Sequence, residues 1–139
     1  MTAETEREDE VRTLLREMDA AYAGGDAEAF AGLFAEDGQV FLLHRDAMVG
    51  RQAIRSSWGG FFERFDTSAW RTEHGLVETY GPHAHAFSTY TETLVPRQGD
   101  APSRLVVGRL VFFLRHLPPQ GWHIALLMNS HVRPVQELP

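Results

Sequence analysis

The 139-residue sequence contains no cysteine and no lysine. Without cysteine there is no disulfide, no thiol nucleophile and no thiolate metal site. Without lysine there is no Schiff-base chemistry and no Walker-type phosphate lysine. All 13 basic side chains are arginine, set against 19 acidic ones for a formal net charge of −6. That balance lacks the basic footprint that nucleic acid or an anionic membrane surface requires. No apolar run approaches the roughly 20 residues that span a bilayer. The longest, around Leu110–Leu114 and Ile124–Met128, have the length of strands. Met1–Glu10 is polar and acidic and shows no apolar signal segment, so the expected location is cytoplasmic. Arginine to the exclusion of lysine also suggests a GC-rich genome, an argument from codons.

What is present reads as one domain over 1–139, with residues 1–9 partly disordered. A hydrophobic content of 43% is ordinary for a folded chain and too high for a disordered one. Thr5–Glu8 fits a capping box, and Val11, Leu14, Leu15, Met18, Ala21 and Tyr22 follow at helical spacing. Gly24-Gly25 ends that helix, and Asp26 caps a second one with Phe30, Leu33 and Phe34 on one face. Asp37-Gly38 marks a turn and Gln39–His44 a strand. Ile54, Trp58, Phe61, Phe62 and Phe65 then define a third helix, which Gly59-Gly60 should kink or end early. From Ala69 the period changes to two, with strands near 69–80, 83–95, 103–116 and 121–132. Gly81-Pro82, Pro96–Ser103 and Leu117–Gly121 separate them as hairpin-type connections. Three N-terminal helices on a curved, mostly antiparallel sheet make an α+β fold.

That order, with its local motifs, resembles the NTF2-like, or SnoaL-like, superfamily of cone-shaped domains. The matching pieces are Ala21–Asp26 with Leu33–Gly38, Val49–Ile54, and Gly121–Ala125 leading to Asn129-Ser130. The closing Trp-x-Ile-Ala…Asn-Ser is similar to the SgcJ/EcaC-type subgroup, whose members occur in natural-product gene clusters. The resemblance implies a conical cavity between helices and sheet, the default ligand site of such a scaffold. It implies a lining that includes Met18, Leu42, Trp58, Phe112, Leu126, Met128 and Ser130. The related steroid isomerases use a carboxylate base, a tyrosine and a protonated carboxyl group. The positions matching these hold Leu42, Met18 and Phe112, none of which moves a proton or polarises a carbonyl.

Other polar constellations remain. His44-Arg45-Asp46 lies near the expected mouth, and on a regular strand His44 shares a face with Leu42, which makes it a candidate base. His83 and His85 have the spacing of two metal ligands, with Glu73, His74 and Glu78 on a neighbouring strand. A third convergent ligand has no fixed position, and histidines at a strand start explain the pattern as well, so no metal is assigned. Ser88, Tyr90 and Glu92 alternate along one strand face. Facing inward, Tyr90 and Glu92 supply a phenol donor and a carboxylate; the cost of burying an unpaired carboxylate tilts Glu92 to the outer face. Arg109, amid apolar residues, is expected to be partly buried and paired, as an anchor for an acidic ligand or in a structural salt bridge.

The reading that follows is a small-molecule pocket protein with no cofactor, which the subgroup resemblance and the GC-rich hint imply belongs to secondary metabolism. Its ligand is apolar and aromatic or polyene-like, of polyketide or enediyne type, held by residues such as Trp58, Phe62, Leu42 and Phe112. One alternative is an isomerase, cyclase or hydrolase using His44 or Tyr90 with Glu92. Another is a dimeric interaction module, because the strands near 104–115 and 122–132 are apolar at both parities, and helices can cover only one face. A homodimer through the sheet is expected.

Overall fold

The computed structural model describes residues 2–139. Val11, Leu14, Leu15, Met18, Ala21 and Tyr22 are all buried along α1 (Ala3–Ala23), as the helical period requires. The cap is Thr2, whose side chain accepts from the Thr5 amide, so α1 begins before the Thr5–Glu8 box and residues 3–9 are helical. Asp26 caps α2 (Ala27–Gly32), accepting from Ala29 N–H. The first strand, β1 (Phe34–Phe41), starts earlier than Gln39 and carries Asp37-Gly38 through an irregularity in its pairing rather than a turn.

A two-residue strand β2 (Met48–Val49) precedes α3 (Arg51–Arg64). α3 continues through Gly59-Gly60 to Arg64. Two glycines weaken a helix by about 2 kcal/mol, and burial of Ile54, Trp58 and Phe62 offsets that.

The remaining strands are β3 (Phe65–Asp66), β4 (Trp70–Tyr80), β5 (His83–Pro96), β6 (Arg104–Leu117), β7 (Gly121–His131) and β8 (Gln136–Glu137). The sheet runs β2-β1-β7-β6-β5-β3, with β4 also paired to β5 and β8 to β6. All pairings are antiparallel except β1 with β7, so the sheet is mixed. It curls around α1, α2 and α3, and the fold is the α+β cone.

Two bulges decide which side chains enter the cone. On β7 the register with β6 slips between the Phe113–Leu126 and Leu114–Ile124 pairs, leaving Ala125 unpaired. A one-residue insertion reverses the alternation beyond it. Trp122 and Ile124 are buried, as are Leu127 and not Leu126 or Met128. A second slip on β4, between His74 and Val77, has the same effect there.

Candidate active site

Alternation along β5 puts Ala84, Ala86, Ser88, Tyr90 and Glu92 on the buried inner face and Phe87 on the exposed outer one. Glu92 is therefore inside, 5% exposed, opposite to the face that desolvation cost suggested. What makes burial tolerable is a partner from another element. Tyr22, on the last turn of α1, donates its hydroxyl to Glu92 Oε1 at 2.5 Å. Thr67 holds that turn in place, donating its buried hydroxyl to the Tyr22 carbonyl at 2.6 Å.

Beside this pair a cavity of about 240 Å³ opens toward solvent. Met18 and Tyr22 of α1, Trp58 of α3, Trp70 of β4, Leu110 of β6 and Leu127 of β7 form much of its wall. Among the described residues, Glu92 is the only carboxylate on that wall. Burial pushes its carboxyl up from an ordinary 4.5 to about 7, with the Tyr22 hydrogen bond pulling the other way. Burial, and then the charge of Glu92, raises the Tyr22 phenol, so Tyr22 stays a proton donor.

Tyr90 also reaches the cavity. Its ring lies across Gly108, its ladder partner on β6; a Cβ there would sit 2.6 Å from two ring carbons. Asn129 Nδ2 donates to the Tyr90 oxygen at 3.3 Å, while Asn129 Oδ1 accepts from the Leu43 amide at 3.0 Å. The Leu43 contact fixes which end of the amide faces Tyr90. With its oxygen already accepting, Tyr90 keeps its own proton for a ligand. Burial raises this phenol as well.

Trp70 lies between the two phenols, with centroids 4.2 Å from Tyr22 and 5.0 Å from Tyr90. Its indole N–H donates to Asp19 Oδ1 at 2.9 Å. Asp19 Oδ2 also meets the Thr72 hydroxyl at 2.7 Å and His74 Nε2 at 2.6 Å, and His74 Nδ1 meets Ser88 Oγ at 2.7 Å. This half-buried network positions Trp70 and occupies His74 fully.

The SnoaL-like domain family matches residues 3–127. The chain belongs to the SnoaL-like family. Its fold is shared with solved structures of low sequence identity. A proposed aromatic ring hydroxylase from Novosphingobium aromaticivorans is 19% identical over 99% of this chain and 96% of its own, with a TM-score of 0.83. A proposed scytalone dehydratase from the same organism is 14% identical over 93% and 85%, with a TM-score of 0.80. A ketosteroid isomerase-like protein from Erwinia carotovora atroseptica is 20% identical over 88% and 94%, with a TM-score of 0.79. No curated protein matches the chain.

Within this SnoaL-like cone, Met18, Leu42 and Trp58 stand on the cavity wall together with Tyr90 and Glu92. Phe62 lies off the wall in the aromatic core, edge-on to Tyr22 with centroids 5.4 Å apart. Phe112 is fully buried and also misses the wall. Leu126, Met128 and Ser130 are off it because the bulge at Ala125 reverses their parity, and Leu127, Asn129 and His131 take their places. His44 follows the end of β1, exposed, with a positive φ of 61°, so strand parity does not apply to it. It borders a shallow depression with Asp46 that adjoins the cavity through Arg45, Met48 and Ser57.

Arg109 is exposed on the outer face, flanked on the ladders by Thr89 and Ser130, and takes part in none of the ion pairs among the described residues. The histidines divide between faces: His74 turns inward to Asp19, while His85 pairs outside with Glu78 at 3.3 Å. They cannot converge on one ion, and no group of three metal-ligating side chains gathers among the described residues.

Tyr22 and Asn129 are the site residues that sequence reasoning missed. Tyr22 stood in the helical stripe as core. The signal available was its hydroxyl, which a buried tyrosine must satisfy.

Proposed function

We propose that this SnoaL-like protein binds a small, flat, apolar ligand and moves a proton on it. The observation that carries the reading is Glu92, the one carboxyl group on an otherwise largely apolar wall, with Oε1 held by Tyr22. A carboxyl near 7 is divided between acid and base at neutral pH, where proton transfer in either direction is efficient. Ionised Glu92 takes a proton from carbon beside a ligand carbonyl. Tyr90 donates its hydroxyl to the oxygen on which charge develops, and Glu92 returns the proton at another carbon. The reaction is an isomerisation and consumes no second reactant. Trp58 and Trp70 hold the ring of the ligand against these groups.

The names of the structural relatives, a dehydratase, a ring hydroxylase and an isomerase-like protein, support ring chemistry. The resemblance to the SgcJ/EcaC-type subgroup supports a polyketide-type intermediate in secondary metabolism. The site lies in a cytoplasmic protein on this reading; no helix among the described residues is long and apolar enough to cross a membrane.

The test is deuterium uptake from D2O, followed by NMR on a panel of β,γ-unsaturated and aromatic ketones. Wild type should label a subset, and Glu92→Gln should slow labelling by about 10²- to 10⁴-fold. Labelling unaffected by that substitution, or none on any ketone, defeats the proposal.

A homodimer through the sheet is the accompanying proposal. On the outer face Phe41, Met128, Val111 and Phe87 form one row across four strands, and Leu126 and Phe113 pair beside it. Phe87 and Phe113 are more than 40% exposed in a single chain. A second copy of the same row would bury them. Sedimentation should give a dimer at micromolar concentration, and Phe87→Glu a monomer; a wild-type monomer contradicts it.

A further inference from the structure

Resting on the reading of the cavity as a ligand site, the next question is what kind of ligand its entrance selects. The wall carries Arg45, Arg104 and His131, while its only acid is buried Glu92. Both arginines are exposed, and neither joins any of the ion pairs among the described residues. Asp46 adjoins Arg45 in sequence and Glu137 faces Arg104 across the β6–β8 ladder, yet neither forms a salt bridge with it. Arg104 instead stands over the ring of Phe65, its guanidinium carbon 6.0 Å from the centroid.

The placement follows from register. Arg104 pairs with Leu94, two residues along the strand from the Val106–Glu92 pair, which is about 7 Å in extended chain. His131 pairs with Gly108, on the same row as Tyr90. Arg104 thus lies within one ring's length of Glu92. It does so in a chain of net charge −6, whose overall field repels anions. Cations left at the rim stay hydrated, so they can meet an anion without the cost of burying an unpaired charge.

We infer that the ligand carries a carboxylate or similar anionic group on its flat apolar body. Arg45 and Arg104 hold that group at the rim while the body lies between Trp58 and Trp70. The planar guanidinium fork suits a carboxylate, with two parallel N–H donors for two oxygens. Arg109, the arginine that sequence placement suggested as an anion anchor, faces the other side of the sheet.

The experiment compares 2-naphthoate with 2-naphthamide, which match in shape and differ in charge, by titration calorimetry at low salt. Wild type should bind the naphthoate more tightly, and added salt should remove that preference. The double variant Arg45→Gln, Arg104→Gln should lose about tenfold in naphthoate affinity while naphthamide binding changes by less than about twofold. Naphthamide binding also reports that the variant is folded. Equal affinities in wild type, or equal losses in the variant, overturn the inference and leave the apolar pocket standing. Failure of both probes to bind at millimolar concentration overturns the pocket reading and the inference with it.

Discussion

Glu92→Gln separates burial from every other property of the site, because it keeps the shape of the side chain and removes its charge. In the unfolded chain the carboxyl titrates near 4.5, and in the cone near 7. That difference corresponds to about 3 kcal/mol. Its sign is set by proton counting. Between those two values the unfolded chain has released the proton and the folded chain retains it. Stability therefore falls by about 1.4 kcal/mol per pH unit across the window. Below about 4.5 the protonated carboxyl costs little; above about 7 folding must bury a charge. The glutamine variant lacks this dependence, and its carbonyl oxygen can still accept from Tyr22.

Urea unfolding of both proteins, from about pH 4 to about pH 8.5, measures the difference directly if the slope with denaturant is unchanged. Glu92→Gln should be close to wild type at the acid end and more stable by about 3 kcal/mol at the alkaline end. A difference that does not vary with pH, or a variant less stable than wild type at alkaline pH, refutes the burial argument.

Three further outcomes follow from the same geometry. Tyr22→Phe removes the hydrogen bond that holds the Glu92 carboxyl down, so the loss of stability, which still begins near 4.5, should continue to higher pH than in wild type in the same unfolding series. Gly108→Ala places a Cβ 2.5 Å from the Ser130 carbonyl and 2.6 Å from the Tyr90 ring. It should cost about 1–3 kcal/mol in thermal or urea unfolding and slow the deuterium exchange by moving the phenol. Asp19→Ala strands the Trp70 indole N–H, the Thr72 hydroxyl and His74. It should destabilise by about 2–3 kcal/mol and shift Trp70 fluorescence, with Asp19→Asn milder because one oxygen still accepts.

Most of the architecture was legible in the chain. The stripe from Val11 to Tyr22 and the set Ile54, Trp58 and Phe62 name the buried faces of α1 and α3, and Asp26 caps α2. The long strands and their breaks lie close to their expected places because turn residues and period-two alternation are local signals. The errors are also local in origin. Gly59-Gly60 suggested a broken helix, where aromatic burial prevails. The polar start of the chain suggested disorder, where Thr2 caps a helix that continues to Ala23.

The site was only half legible. Tyr90 and Glu92 could be paired on one strand face, but not assigned to a side of the sheet. His44 drew attention as a polar residue in step with Leu42, although β1 ends before both. On β7 an unbroken alternation selected Leu126, Met128 and Ser130. The unpaired residue at Ala125 exchanges them for Leu127, Asn129 and His131, and so brings Asn129 to Tyr90.

The absence of lysine and cysteine, the acidic balance and the amphipathic periods are properties of the chain alone. They determine a fold with an apolar cone and exclude thiol and Schiff-base chemistry. The tertiary structure decided which polar groups the cone holds. Glu92 comes to about 7 because burial among elements distant in sequence outweighs the hydrogen bond from Tyr22, 70 residues away. Desolvation depends on what surrounds a group from every direction, and no strand carries that information about its own side chains.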